Sequence, residues 1–131
     1  MDHVRQSKGL ARLTALEFHA TQTRFAEIAQ REARLRQNLT QLSQHKVSAP
    51  HAALNMHEAA FAADANVRWQ QWVDQRRAVI NTELAQVLAL KENYRVRLAT
   101  AFGRDQAAQA MVNRFIQERK TQTARRQSYE S

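Results

Sequence analysis

The chain has no cysteine, one proline and two glycines in 131 residues. Without cysteine there is neither a disulfide nor a thiolate metal site, which fits a reducing compartment. Two isolated glycines, Gly9 and Gly103, leave no phosphate-cradling loop of any usual form. No apolar run approaches the roughly 18 residues of a membrane span. After Met1-Asp2-His3-Val4-Arg5 the sequence stays polar and shows no signal-peptide core, so the expectation is a soluble cytoplasmic protein. Aromatics make up only 7%. A compact globule of this length normally buries more large side chains, whereas two long helices need only a narrow apolar seam.

What the chain has in quantity is alanine, glutamine and arginine, which are good helix formers. Apolar residues recur at heptad spacing in two stretches, 9–46 and 67–126, on either side of Pro50. In the first, Phe18, Thr21, Phe25, Ile28, Glu32, Leu35, Leu39 and Leu42 step by three and four. In the second, the same steps give Val73, Arg77, Ile80, Leu84, Val87, Lys91, Tyr94, Leu98, Ala101, Asp105, Ala108, Val112, Phe115 and Arg119. The pattern predicts an all-α chain, one antiparallel two-helix coiled-coil hairpin spanning residues 1–131.

Helix one is expected over about 7–46, with Ser7 as its cap, and helix two over about 66–126. A turn or short helix is expected over 47–65, where residues 51–65 read either as the first turns of helix two or as a separate short helix capped by Asn55 or Asp64. Pro50 marks the break, because proline disfavours helix at the residue before it. Leu10, Leu13 and Leu16 fall off the seam and leave extra apolar surface near the start. Gly103 is a place for a bend, and the chain after Arg125 is expected to fray. Helix two is the longer, so its C-terminal part is expected to project past helix one as a basic overhang.

The charge is uneven. The net is +4 over residues 1–49, −2 over 50–75 and +6 over 76–131. Folding back near Pro50 places the two basic segments side by side, so the ends of the hairpin suit different partners.

Candidate chemistry is sparse. His45, His51 and His57 lie near the turn with Glu58, but at spacings of six, not the i, i+4 of a helical zinc site, so solvated histidines are the simpler reading. No nucleophile elbow or paired-carboxylate arrangement is present, and a bare hairpin offers no concave pocket. The expectation is no enzyme, no cofactor, no metal and no small-molecule substrate. Basic helices also suit phosphate backbones, yet no aromatics interleave with the cations to stack bases. Arg68-Trp69-Gln70-Gln71-Trp72-Val73 is the most distinctive segment. Trp69, four before Val73, belongs to the seam, and Trp72 falls at its edge as a candidate partner hot spot. The alternative is that both rings pack near the turn.

This arrangement resembles the FliJ/YscO family, the coiled-coil central stalks of flagellar and type III export ATPases. The similarity rests on the aromatic-Gln-Gln-aromatic-aliphatic run Trp69-Gln70-Gln71-Trp72-Val73, the basic stretch Arg114 through Arg126, and the hairpin architecture. The resemblance implies a cytoplasmic protein peripheral to the inner-membrane export apparatus, touching the membrane only through the export gate. It implies that Arg5, Lys8, Arg12, Arg114, Arg119, Lys120, Arg125 and Arg126 meet acidic loops of a hexameric export ATPase. It also implies that Trp69, Gln70, Gln71 and Trp72 meet the export gate protein or export chaperones. The readings set against it are a generic coiled-coil adaptor, self-associating through Leu10, Leu13, Leu16, Val79, Leu88 and Leu90, and a nucleic-acid-binding helix pair.

Overall fold

The computed structural model describes residues 2–44 and 55–130. Two helices account for nearly all of them: α1, His3–Gln44, and α2, Met56–Glu130. They pack against each other as an all-α hairpin, and no strand occurs among the described residues.

Both helices start earlier than the sequence suggests. Asp2, not Ser7, caps α1: the Arg5 amide donates to Asp2 Oδ1 at 3.2 Å. This satisfies one of the amides a helix start leaves without an intrahelical partner. Ser7 lies inside the helix, buried, with its hydroxyl donating to the Val4 carbonyl at 2.9 Å. Asn55 caps α2, its Oδ1 accepting the Glu58 amide at 2.8 Å. Residues 56–65 are therefore the first turns of helix two, one of the two readings left open for 51–65, and not a separate short helix. Asp64 is no cap; it pairs with Arg68 at 3.1 Å. At the other end α2 continues to Glu130 and does not fray after Arg125. It is also unbroken at Gly103, where an added Cβ would meet nothing within 4 Å. The expected helix-one end at Lys46, the break at Pro50, and His45 and His51 lie outside the described residues.

By contacts the chain forms two compact units, residues 1–27 with 91–131 and residues 28–90. In the first unit the helices run antiparallel. His3 stacks on Phe115 at 5.3 Å, Phe18 meets Phe102 at 5.6 Å, and Arg24 hydrogen-bonds Tyr94. An advance of 21 residues in α1, from His3 to Arg24, matches a retreat of 21 in α2, from Phe115 to Tyr94. The register therefore carries no net skip along this unit. Its seam is narrow: Val4, Ser7, Ala101, Asp105 and Ala108 are buried, with Ala11, Thr14 and Ala15 half-buried.

The second unit has a larger-chained seam. Ile28, Leu35, Val73, Ile80, Leu84 and Val87 are buried, and Leu39 and Leu42 half-buried. Glu32 interrupts this seam and is held by Arg36 Nε at 3.0 Å. Every seam position expected from Phe18 to Leu42 and from Val73 to Phe115 is buried or half-buried. Arg119, next in phase, is exposed, because α1 begins at His3 and His3 already faces Phe115.

Candidate interaction surfaces

The first unit holds every cation assigned to the terminal end. Arg5, Lys8 and Arg12 step by three and four along α1, so helix geometry puts them on one side. Arg114, Arg119, Lys120, Arg125 and Arg126 lie on the last five turns of α2, and all eight are exposed. Arg114 is partly neutralised by Glu118 at 3.3 Å. The other seven take no part in the exposed pairs of this unit, Arg24–Glu27, Arg95–Glu92, Arg104–Glu17 and Arg114–Glu118. The unit carries thirteen basic and seven acidic residues, a net of +6. From Gln117 to Glu130 every α2 residue is exposed.

Two grooves run between the helices here. One is lined by Lys8, Ala11, Arg12, Gln109, Val112 and Asn113; its alanine floor is why it is open, and two cations stand at its edge. The other joins the stacked His3 and Phe115 to Asp2, Glu118 and Arg119. It mixes charges of both signs, so it does not continue the basic strip.

Inside the seam, Asp105 is buried and its carboxylate is satisfied twice. The Thr14 hydroxyl reaches Oδ1 at 3.2 Å and the Gln109 amide donates to Oδ2 at 3.2 Å. Beside it, Arg104 crosses to Glu17 at 2.9 Å. Tyr94 receives two cations: the Arg97 guanidinium lies 4.9 Å over its ring, and its hydroxyl takes a hydrogen bond from Arg24. That bond, and then Glu27, hold the Arg24 pKa above its ordinary value. Glu92 is held below the usual carboxylate range, chiefly by its hydrogen bond from Arg95.

The second unit holds the tryptophans. Trp69 is half-buried and Trp72 is 49% exposed, the division its four-residue offset from Val73 implies. Their rings stack at 5.1 Å and 26°. Gln70 and Gln71 between them are exposed. Upstream on the same helix Met56, Phe61 and Val67 are also exposed, a stretch of bare apolar side chains that the heptad pattern does not register. The signal was present as the absence of a seam: between Met56 and Val73 only Trp69 and one alanine are shielded. His57 is exposed, and no group of three metal-ligating side chains occurs among the described residues. No described helix is long and apolar enough to cross a membrane.

Comparison with known proteins places the chain in no family: no family model, no curated protein and no solved structure matches it.

Proposed function

We propose that the chain is a non-enzymatic coiled-coil stalk of a flagellar or type III protein-export apparatus. In this reading the basic end enters the ring of a hexameric export ATPase, and the Trp69–Trp72 surface meets the export gate protein or export chaperones. The observation that supports it most is the separation of two exposed surfaces of different chemistry. Arg5, Lys8, Arg12, Arg119, Lys120, Arg125 and Arg126 stand unengaged by the ion pairs of the first unit, and the stacked tryptophans lie in the second. Cations without an ion-pair partner among the described residues suit an acidic partner, and such contacts act mainly on association rate and are weakened by salt. An exposed, preordered indole suits a hot spot on a partner surface.

The test is hydrolysis by the hexameric export ATPase with and without the chain. Stimulation that is lost on reversing Arg119, Lys120, Arg125 and Arg126 to Glu, and that fades with rising salt, is the expected result. Equal stimulation by the reversed chain would sink the reading of this end. Trp72→Ala should leave stimulation intact and weaken capture of the gate protein or chaperones.

A further inference from the structure

The first unit carries its large aliphatic side chains on the outside of α1. Leu10, Leu13 and Leu16 are 44%, 65% and 67% exposed, while the seam behind them is built from Ser7, Ala11 and Thr14. Spaced by three, these leucines form one continuous ridge inclined to the helix axis, the kind that seats in the groove of another helix. The exposed apolar residues of α2 in the same unit make no such ridge. Val96, Phe102 and Met111 are six and nine residues apart, so at about 1.5 Å of rise per residue they stand roughly 9 and 14 Å apart along the axis.

Two further features single out this face. Gly9 falls between Leu13 and Leu16 in azimuth, and a Cβ built there meets nothing within 4 Å. A glycine inside a helix costs about 1 kcal/mol against alanine, and nothing among the described residues requires the missing side chain. It does leave a notch through which a second helix backbone can approach. Arg5 and Arg12 border the ridge on one side, and Lys8 lies beyond them. The acidic residue on the other side, Glu17, is engaged with Arg104 at 2.9 Å.

We infer that the outer face of α1 from Arg5 to Ala20 is a docking surface for an amphipathic helix of another protein with acidic flanks. Its apolar side covers Leu10, Leu13 and Leu16, its backbone passes over Gly9, and its carboxylates meet Arg5 and Arg12. A second copy of this chain fits less well, because it would bring a second set of Arg5, Lys8 and Arg12 to the same contact. This inference shares Arg5 and Arg12 with the stalk reading, but it stands on Leu10, Leu13, Leu16 and Gly9, which that reading does not use.

The probe is a synthetic peptide with a leucine/alanine face flanked by glutamates, about three heptads long so that it holds a helix. Its binding to the full chain is followed by fluorescence anisotropy, beside the same peptide with lysines for the glutamates. The chain should bind the acidic peptide and not the lysine one. Leu13→Glu and Leu16→Glu should each weaken binding about tenfold or more, the loss of one well-buried anchor. Both sites are exposed, so circular dichroism of the two variants should be unchanged. Gly9→Gln should weaken binding while raising the melting temperature, a split that a purely structural role for Gly9 would not give. Equal affinity for both peptides, or Leu13→Glu binding like the parent, would overturn the inference. So would a chain that sediments as a dimer and becomes a monomer on Leu13→Glu, which would assign the face to a second copy.

Discussion

The two units solve the same packing problem with different side chains. In residues 28–90 the seam is aliphatic, with Ile28, Leu35, Ile80, Leu84 and Val87 enclosed between the helices. In residues 1–27 and 91–131 the buried positions are Val4, Ser7, Ala101, Asp105 and Ala108, and the leucines of α1 face outward. One unit encloses large aliphatic side chains fully between the helices. The other fully encloses only Val4 and small or polar residues, half-buries Phe18, Phe25, Leu98, Val112 and Phe115, and presents the α1 leucines and much of its charge outward. Folding stability scales with apolar area removed from water, so more of the anchoring belongs to the aliphatic unit than to the thin one, while both units present exposed apolar side chains, the leucines of α1 in one and Met56, Phe61, Val67 and Trp72 in the other.

The sharpest way to break this comparison is to empty one seam position in each unit. Ile80 is 2% exposed, and Ile80→Ala should cost about 2–5 kcal/mol, the range for large-to-small changes at buried sites. In the thin unit Ala108→Gly removes one methyl and should cost about 1 kcal/mol, mostly through helix propensity. Denaturant melts give the totals, and amide exchange shows where protection is lost. A loss at Ala108 as large as at Ile80 would erase the distinction between the units.

The polar links of the thin unit come next in size. Asp105→Ala removes the acceptor of Thr14 and Gln109, yet the Thr14 hydroxyl keeps the Ala11 carbonyl at 3.0 Å. With no donor stranded, the cost should be about 1 kcal/mol, that of one ordinary hydrogen bond, read from the shift in denaturation midpoint. Asp105 does not by itself mark the register. Ser7, Thr14 and Thr21 recur every seven residues, so a slip of one heptad would offer it another hydroxyl. Arg104 makes the distinction: opposite Glu17 it forms an ion pair, one heptad on it would face Arg24, and one heptad back Leu10. Like charges across a contact are destabilising and Leu10 offers no ion pair, so of the three registers that Asp105 alone would allow, Arg104 favours the one with Glu17 opposite.

How much of this was legible in the sequence follows the same division. Wherever the seam is made of large side chains, from Phe18 to Leu42 and from Val73 to Leu98, three-four spacing found it residue by residue. Ahead of Phe18 the seam residues are Val4, Ser7, Ala11 and Thr14, too small and too polar to register, while the leucines that do register lie outside. The extra apolar surface they leave was readable; the seam beneath it was not. Arg119 is in phase but exposed, because periodicity reports the phase of a helix and not where its partner begins. The start of α2 was hidden by alanines without period, although Asn55 followed three residues later by Glu58 is a capping signature. Ser7, the cap expected from the sequence, and Asp2, the cap observed, are equally good residue types. Only the burial of Ser7 and the bond to Asp2 separate them.

The smallest expected effect concerns pH, and it sharpens the claim that surface pairs contribute little to either unit. Glu92 is held below the usual carboxylate range by the hydrogen bond from Arg95, whose guanidinium makes two contacts to it at 2.7 and 2.9 Å. A carboxylate whose folded pKa is depressed adds stability that is present above its unfolded pKa and is lost as pH falls through the folded one. Both side chains are more than 60% exposed, so water and salt screen the pair and the contribution is small. Titrating the Glu92 side-chain carboxyl by NMR should give a pKa below that of a model peptide in the parent and near it in Arg95→Ala. The denaturation midpoint of the parent should differ little from that of the variant at neutral pH, and the two should converge further in acid. A large neutral-pH difference would mean that exposed charge pairs, and not the seam, carry the thin unit.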